Sequence, residues 1–178
     1  MTESKPNVVI INIDQLRAFT IGCYGDDTVK TPHIDSLAAG GLRFEQGISN
    51  NPVCVPARSC LMTGQYSRTC TAALGNAAWS VSDKTRRRLR DKTIAEAFRE
   101  MGYLTGVIGK WHMDPDPHIV GFDTSCLPAS IGHKAALLEN GGEVQRRIGF
   151  QEDHLILKAR DFFHQHRDRP FFLYYNII

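Results

Sequence analysis

Three short runs constrain the fold most tightly: the continuous β-branched Val8–Ile11, the β-type Tyr103–Ile108 and the strand-like Phe171–Ile178. The unbroken run Val8–Ile11 fits a strand buried on both faces, as in a parallel sheet. Segments with helical spacing separate them. Thr31-Pro32 opens one, with Thr as N-cap and Pro at the first helical position. Ile34, Leu37 and Ala38 form its inner stripe, and Gly40-Gly41 ends it. Pro56–Thr63 reads as a helix stopped by Gly64. Thr93–Met101 places Ile94, Ala97, Phe98 and Met101 on one face before Gly102. Leu155, Ile156, Ala159, Phe162 and Phe163 mark a further helix over residues 152–166. Strands alternating with helices predict an α/β layered fold around a mainly parallel sheet. Leu42–Ile48 reads as another short strand and residues 49–53 as a loop. Residues 113–150 carry Pro, Gly and polar clusters without a period, which predicts a long loop or insertion.

The chain has 178 residues, about one domain on a scale of ~150 residues each. With 42% hydrophobic and 22% charged residues it is not a disordered, collagen-like or coiled-coil sequence. No apolar run approaches the ~20 residues a bilayer span needs, so no membrane partner is expected. A net charge of +2 is too small to argue for nucleic acid. Thr85-Arg86-Arg87-Arg88-Leu89-Arg90 can contact phosphates, but it lacks interleaved aromatics and reads as a solvated loop. No nucleic-acid partner is expected. Met1–Pro6 shows no basic segment leading into an apolar one, so no signal peptide is read here. The five cysteines (23, 54, 60, 70 and 126) are odd in number and include no CxxC pair. That argues against a disulfide framework or zinc site and for a reduced, cytoplasmic chain. The sequence stops inside Phe171–Ile178, so the expectation is the front part of a longer protein.

Three clusters with chemical capacity follow predicted strands. Asp14-Gln15 offers a carboxylate and an amide oxygen, donors that suit Ca²⁺ or Mg²⁺. Cys54-Val55-Pro56-Ala57-Arg58 places Cys54 near a helix N-terminus, where free N–H groups and the helix dipole favour anions. A thiol so placed has a lowered pKa, and Arg58, one turn on, presents a forked donor suited to oxyanions. Gly109-Lys110-Trp111-His112 leaves a strand with Lys and His two apart. Lys110 would bind an anion there and His112 would act as acid or base.

The order and combination of these clusters resemble the type I sulfatases of the alkaline phosphatase superfamily. Supporting stretches are Asn7–Arg17, Gly22-Cys23-Tyr24-Gly25, Thr31–Leu37, Gly121-Phe122-Asp123 and Pro170–Tyr175. The resemblance covers residues 6–178 and implies an alkaline-phosphatase-like three-layer sandwich. It makes residues 1–178 the amino-terminal part of a single catalytic domain. It further implies that a maturation enzyme oxidises Cys54 to formylglycine (3-oxoalanine), whose hydrate attacks the sulfur of a sulfate ester. The second hydroxyl of the hydrate then helps expel sulfate. Asp14 and Gln15 match amino-terminal ligands of a divalent cation, Ca²⁺ foremost, with Mg²⁺ or Mn²⁺ as alternatives, and Cys54, as formylglycine, shares that cation. Many relatives carry a second Asp at the position of Gln15. Arg58 matches the residue that stabilises the hydrate, Lys110 the one touching hydrate and sulfate, and His112 the one assisting sulfate release.

The expected activity is therefore sulfuric ester hydrolysis. Phosphonate or phosphate monoester hydrolysis by the same superfamily is the near alternative, and a non-catalytic truncated remnant is another. Further metal ligands are expected beyond residue 178, so weak or no turnover is expected of the isolated chain.

Overall fold

The computed structural model describes residues 5–70, 89, 91–113, 116–129 and 134–178. Of the arginine-rich stretch 85–90, only Leu89 lies among them. The elements are β1 (Val8–Ile13), α1 (Pro32–Gly40), α2 (Cys54–Thr63), α3 (Ser67–Cys70), α4 (Ile94–Glu100) and β2 (Leu104–Gly109). Then come β3 (Thr124–Pro128), β4 (Lys134–Glu139), β5 (Val144–Phe150), α5 (Gln151–Gln165) and β6 (Phe171–Ile177). One six-stranded sheet has the order β1-β6-β2-β3-β4-β5. The pairings from β1 to β3 are parallel, and β4 and β5 continue as an antiparallel hairpin.

Strand β6 explains why the run at 171–175 is apolar or aromatic throughout. Phe172 and Tyr174 face one layer, packed with Met62 of α2, Ala95 of α4 and Phe122. Phe171, Leu173 and Tyr175 face the other, against Leu155, Ala159 and Phe162 of α5. Both faces of a central strand are covered, so no position can be polar without a partner. Helices on both sides make the predicted three layers.

Local signals hold at several ends. Thr93 and Glu96 form a reciprocal capping box at the start of α4, at 2.7 and 3.1 Å. Gly64 closes α2 in the left-handed conformation, its N–H donating to the Cys60 carbonyl. Helix α2 starts at Cys54, two residues before the expected start at Pro56.

Six expectations fail. Strand β1 is not buried on both faces: it is an edge strand among the described residues, and Val9 and Ile11 are 38% and 54% exposed. An apolar run cannot reveal its place in the strand order, because that is set by partners remote in sequence. Helix α1 has no inner stripe; none of its residues is buried and Leu37 is 71% exposed. Its Thr31 hydroxyl does not cap the helix but accepts from the Gly22 N–H and donates to Asp35. Residues 42–48 form no strand and are exposed throughout. Residues 113–150 are not one long loop, since they contain β3, β4 and β5. Their hairpin sits at the far edge, where β5 is exposed along its whole length and can carry polar residues. The apolar face of α5 is narrower than read, with Ile156 and Phe163 exposed.

The parallel register brings three carboxyl ends level. Ile13 pairs with Ile177, and Gly109 pairs with Asn176. The Asp14 N–H donates to the Ile177 carbonyl at 3.0 Å, and the Lys110 N–H donates to the Asn176 carbonyl at 3.2 Å. Gly109 sits at φ 89°, and a Cβ there would lie 1.8 Å from the Asn176 carbonyl oxygen. Only glycine permits β2 and β6 to approach so closely at the turn into Lys110.

Candidate active site

Three elements build the site. The carboxyl ends of β1 and β2 release Asp14 and Lys110, and the first turns of α2 carry Cys54 and Arg58. Arg58 is 2% exposed, and both terminal nitrogens of its guanidinium are partnered, while Nε has no partner among the described residues. Nη1 donates to Asn176 Oδ1 at 2.6 Å, to the Lys110 carbonyl at 2.9 Å and, more distantly, to Tyr174 Oη at 3.5 Å. Nη2 pairs with Asp14 Oδ1. Lys110 Nζ pairs with the other oxygen, Asp14 Oδ2. The Cys54 sulfur lies 3.8 Å from both Asp14 Oδ2 and Lys110 Nζ.

Two cations thus share one carboxylate beside a thiol at a helix N-terminus, and the group keeps a surplus positive charge. Burial works against the Asp14 charge, but hydrogen bonds and Coulombic attraction from Lys110 and Arg58 outweigh it and hold the carboxyl below its usual range. His112 stands close enough to feel the same charges. Burial, then repulsion from Lys110 and Arg58, holds its imidazole below the ordinary His range against the opposing pull of Asp14. It is therefore neutral at pH 7. Burial pushes the Tyr174 hydroxyl up to about 12, so it stays protonated beside Arg58.

A cleft of about 880 Å³ opens over this group, lined by Asn12, Asp14, Gln15, Cys54, Arg58 and Tyr174 together with parts of the 47–53 segment. Gln15 is exposed there at φ 59°. The structure therefore brings Asp14, Cys54, Arg58 and Lys110 into contact and places Gln15 in the same cleft. His112 is coupled to them through charge and does not line the cleft. Sequence reasoning missed Asn12, Tyr174 and Asn176. The available signal was an amide near the carboxyl end of each of two apolar runs, at positions 12 and 176.

The donors Asp14 and Gln15 suit an oxygen-preferring divalent cation in type. In number they fall short, since Ca²⁺ takes 6–8 oxygens. Both Asp14 oxygens already face cations, and no group of three or more His, Cys, Asp and Glu that could hold a metal occurs among the described residues. A divalent ion here needs oxygens from outside these residues.

A mostly parallel sheet that gathers a thiol, a guanidinium, an ammonium and a carboxylate at its carboxyl edge defines a cleft for an oxyanion. Residues 6–177 match the family model described as Sulfatase, and the chain belongs to the sulfatase family. Steryl-sulfatase of Homo sapiens is 34% identical over 122 residues, 65% of this chain and 20% of that protein. The chain thus spans about one fifth of that relative's length. A solved structure of a protein in complex with its substrate D-glucosamine-2-N,6-O-disulfate superposes with a TM-score of 0.81 at 24% identity, covering 98% of this chain and 34% of that one. The phosphonate monoester hydrolase of Agrobacterium radiobacter shares the fold at a TM-score of 0.66 and 22% identity, over 98% of this chain and 41% of its own.

Proposed function

We propose that this chain carries the nucleophile and the oxyanion-binding residues of a sulfuric ester hydrolase. What supports this most is the meeting of Cys54, Arg58, Lys110 and Asp14 at one edge of the sheet in a chain of the sulfatase family. Cleavage of a sulfate ester builds negative charge on nonbridging and leaving oxygens, and cations held in place beforehand stabilise it without reorganising. Arg58 is buried and partnered, so its orientation is set before a substrate arrives. Lys110 lies between Cys54 and Asp14, within reach of an anion bound at position 54. His112, neutral at pH 7, is able to take up or return a proton.

In this reading a maturation enzyme converts Cys54 to formylglycine, whose hydrate supplies the hydroxyl nucleophile. Asp14 and Gln15, with residue 54, contribute to a divalent cation site, Ca²⁺ foremost, completed by oxygens from elsewhere. Residues 1–178 then form the amino-terminal part of one catalytic domain, and turnover by the chain alone is expected to be weak. A cytoplasmic location is part of the proposal, supported by cysteines that are all unpaired.

The test is the protein made in its native host. The tryptic peptide Phe44–Arg58 is weighed for an aldehyde at position 54, and turnover of an aryl sulfate is compared with that of an aryl phosphonate. The expected result is an aldehyde and a preference for sulfate. A plain thiol at Cys54 in an active preparation, or turnover of the phosphonate alone, overturns the reading.

A further inference from the structure

Asn176 is out of character with its strand. Every other residue of β6 is apolar or aromatic, and Asn176 is fully buried. A buried amide is costly unless its polar atoms are used. Here the side-chain oxygen accepts from Arg58 Nη1 at 2.6 Å and from Asn12 Nδ2 at 3.2 Å, while its own Nδ2 has no partner among the described residues. The backbone oxygen of the same residue accepts the Lys110 N–H at 3.2 Å. One residue of a central strand therefore holds the side chain of one site cation and the main chain of the other.

We propose that Asn176 is a positioning residue of the oxyanion cleft, fixing the Arg58 guanidinium without touching substrate. The inference deepens the sulfatase reading and rests on it in one respect, that the cleft binds an oxyanion. The geometry supplies the reason. With Nη1 held by Asn176 and the Lys110 carbonyl, the planar guanidinium cannot rotate, and Nη2 is left directed at Asp14 beside the cleft. Without the Asn176 oxygen, Nη1 loses its shortest bond and keeps one carbonyl at 2.9 Å and a hydroxyl at 3.5 Å, so beside the Nη2–Asp14 pair the plane is held less firmly. The chemistry explains an amide rather than a carboxylate at this place. A neutral acceptor orients Arg58 and leaves its charge available to an anion, whereas a second carboxylate beside Asp14 would consume it.

Inorganic sulfate is the probe and the Cys54 thiol is the reporter, in the full chain before maturation. Sulfate bound in the cleft shields Cys54 from iodoacetamide, and the concentration giving half protection measures binding. Asn176→Ala and the isosteric Asn176→Asp are each expected to raise that concentration roughly tenfold, the first by releasing Arg58 and the second by neutralising it. Leu173→Ala, which empties the opposite layer of the same strand, is expected to lower Tm but to stay within about twofold of the wild type in sulfate protection. Protection in Asn176→Ala within about twofold of the wild type overturns the positioning role, leaving Asn176 a packing residue. Should Asn176→Ala not fold, the near-isosteric Asn176→Leu, which also lacks the acceptor, decides by the same criterion. Absence of sulfate protection in the wild type overturns the oxyanion cleft itself, and the assignment of Asn176 falls with it.

Discussion

Asp14→Asn isolates the electrostatic keystone of the site. The substitution keeps the shape of the side chain and removes the one carboxylate that both Arg58 and Lys110 pair with. Removing one member of a buried ion pair costs about 3–5 kcal/mol, because the charge left behind stays desolvated. Arg58, at 2% exposure, cannot recover water, whereas Lys110 at 12% and position 14 at 13% are partly exposed and recover some. The lower end of the range applies, about 3 kcal/mol. For a chain of this length each kcal/mol moves Tm by about 2–4 °C, so a fall of roughly 6–12 °C is expected at pH 7. Thermal unfolding followed by circular dichroism measures it. Glu45→Gln is the control: it breaks the exposed Arg43–Glu45 pair, worth about 0–1 kcal/mol, and leaves Tm nearly unmoved. The pH dependence has a definite sign. The Asp14 carboxyl titrates below its ordinary value of 3.8 in the folded chain, so its contribution is complete above that value. It is lost only as pH falls through the lowered folded pKa, where wild type and Asp14→Asn converge. A Tm for Asp14→Asn no different from that of Glu45→Gln at pH 7 would refute the argument that Asp14 neutralises two buried cations.

Two further outcomes follow from the same geometry. Gly109→Ala forces a Cβ to within 1.8 Å of the Asn176 carbonyl at a positive φ, so β2 and β6 must part. Loss of cooperative thermal unfolding is expected, and a Tm within about 2 °C of the wild type contradicts the register at the strand ends. The His112 imidazole is expected to titrate below 6.5 by NMR, because burial and then Lys110 and Arg58 disfavour its charged form. Lys110→Met removes one of those charges and should raise the midpoint; an unchanged or lower midpoint would separate His112 from the cluster.

Legibility in the sequence followed the range of the interactions involved. The contiguous runs at 8–11, 103–108 and 171–178 announced strands, and Thr93 with Glu96 marked a helix start, because these signals span a few residues. The clusters Asp14-Gln15, Cys54-x-Pro56-x-Arg58 and Lys110-x-His112 were visible for the same reason. The hairpin of β4 and β5 was invisible because an edge strand exposed along its length needs no apolar alternation. The failed stripe of α1 has a different cause: Ile34, Leu37 and Ala38 are spaced for burial, but among the described residues Ile34 and Ala38 are only half covered and Leu37 is exposed.

The sequence by itself placed Cys54 near a helix N-terminus, with Arg58 one turn on, and had Asp14 and Lys110 leave strands, since helical and extended periods are local properties. Only the tertiary structure decided that these four meet. Strand order β1-β6-β2 sets residues 12, 14, 110 and 176 side by side, although 96 residues separate the bonded Asp14 and Lys110 and 164 the bonded Asn12 and Asn176. Parallel register, set by packing of both sheet faces, levels their ends. That long-range pairing turned Asn176, unremarkable in the chain, into the buried acceptor that holds Arg58.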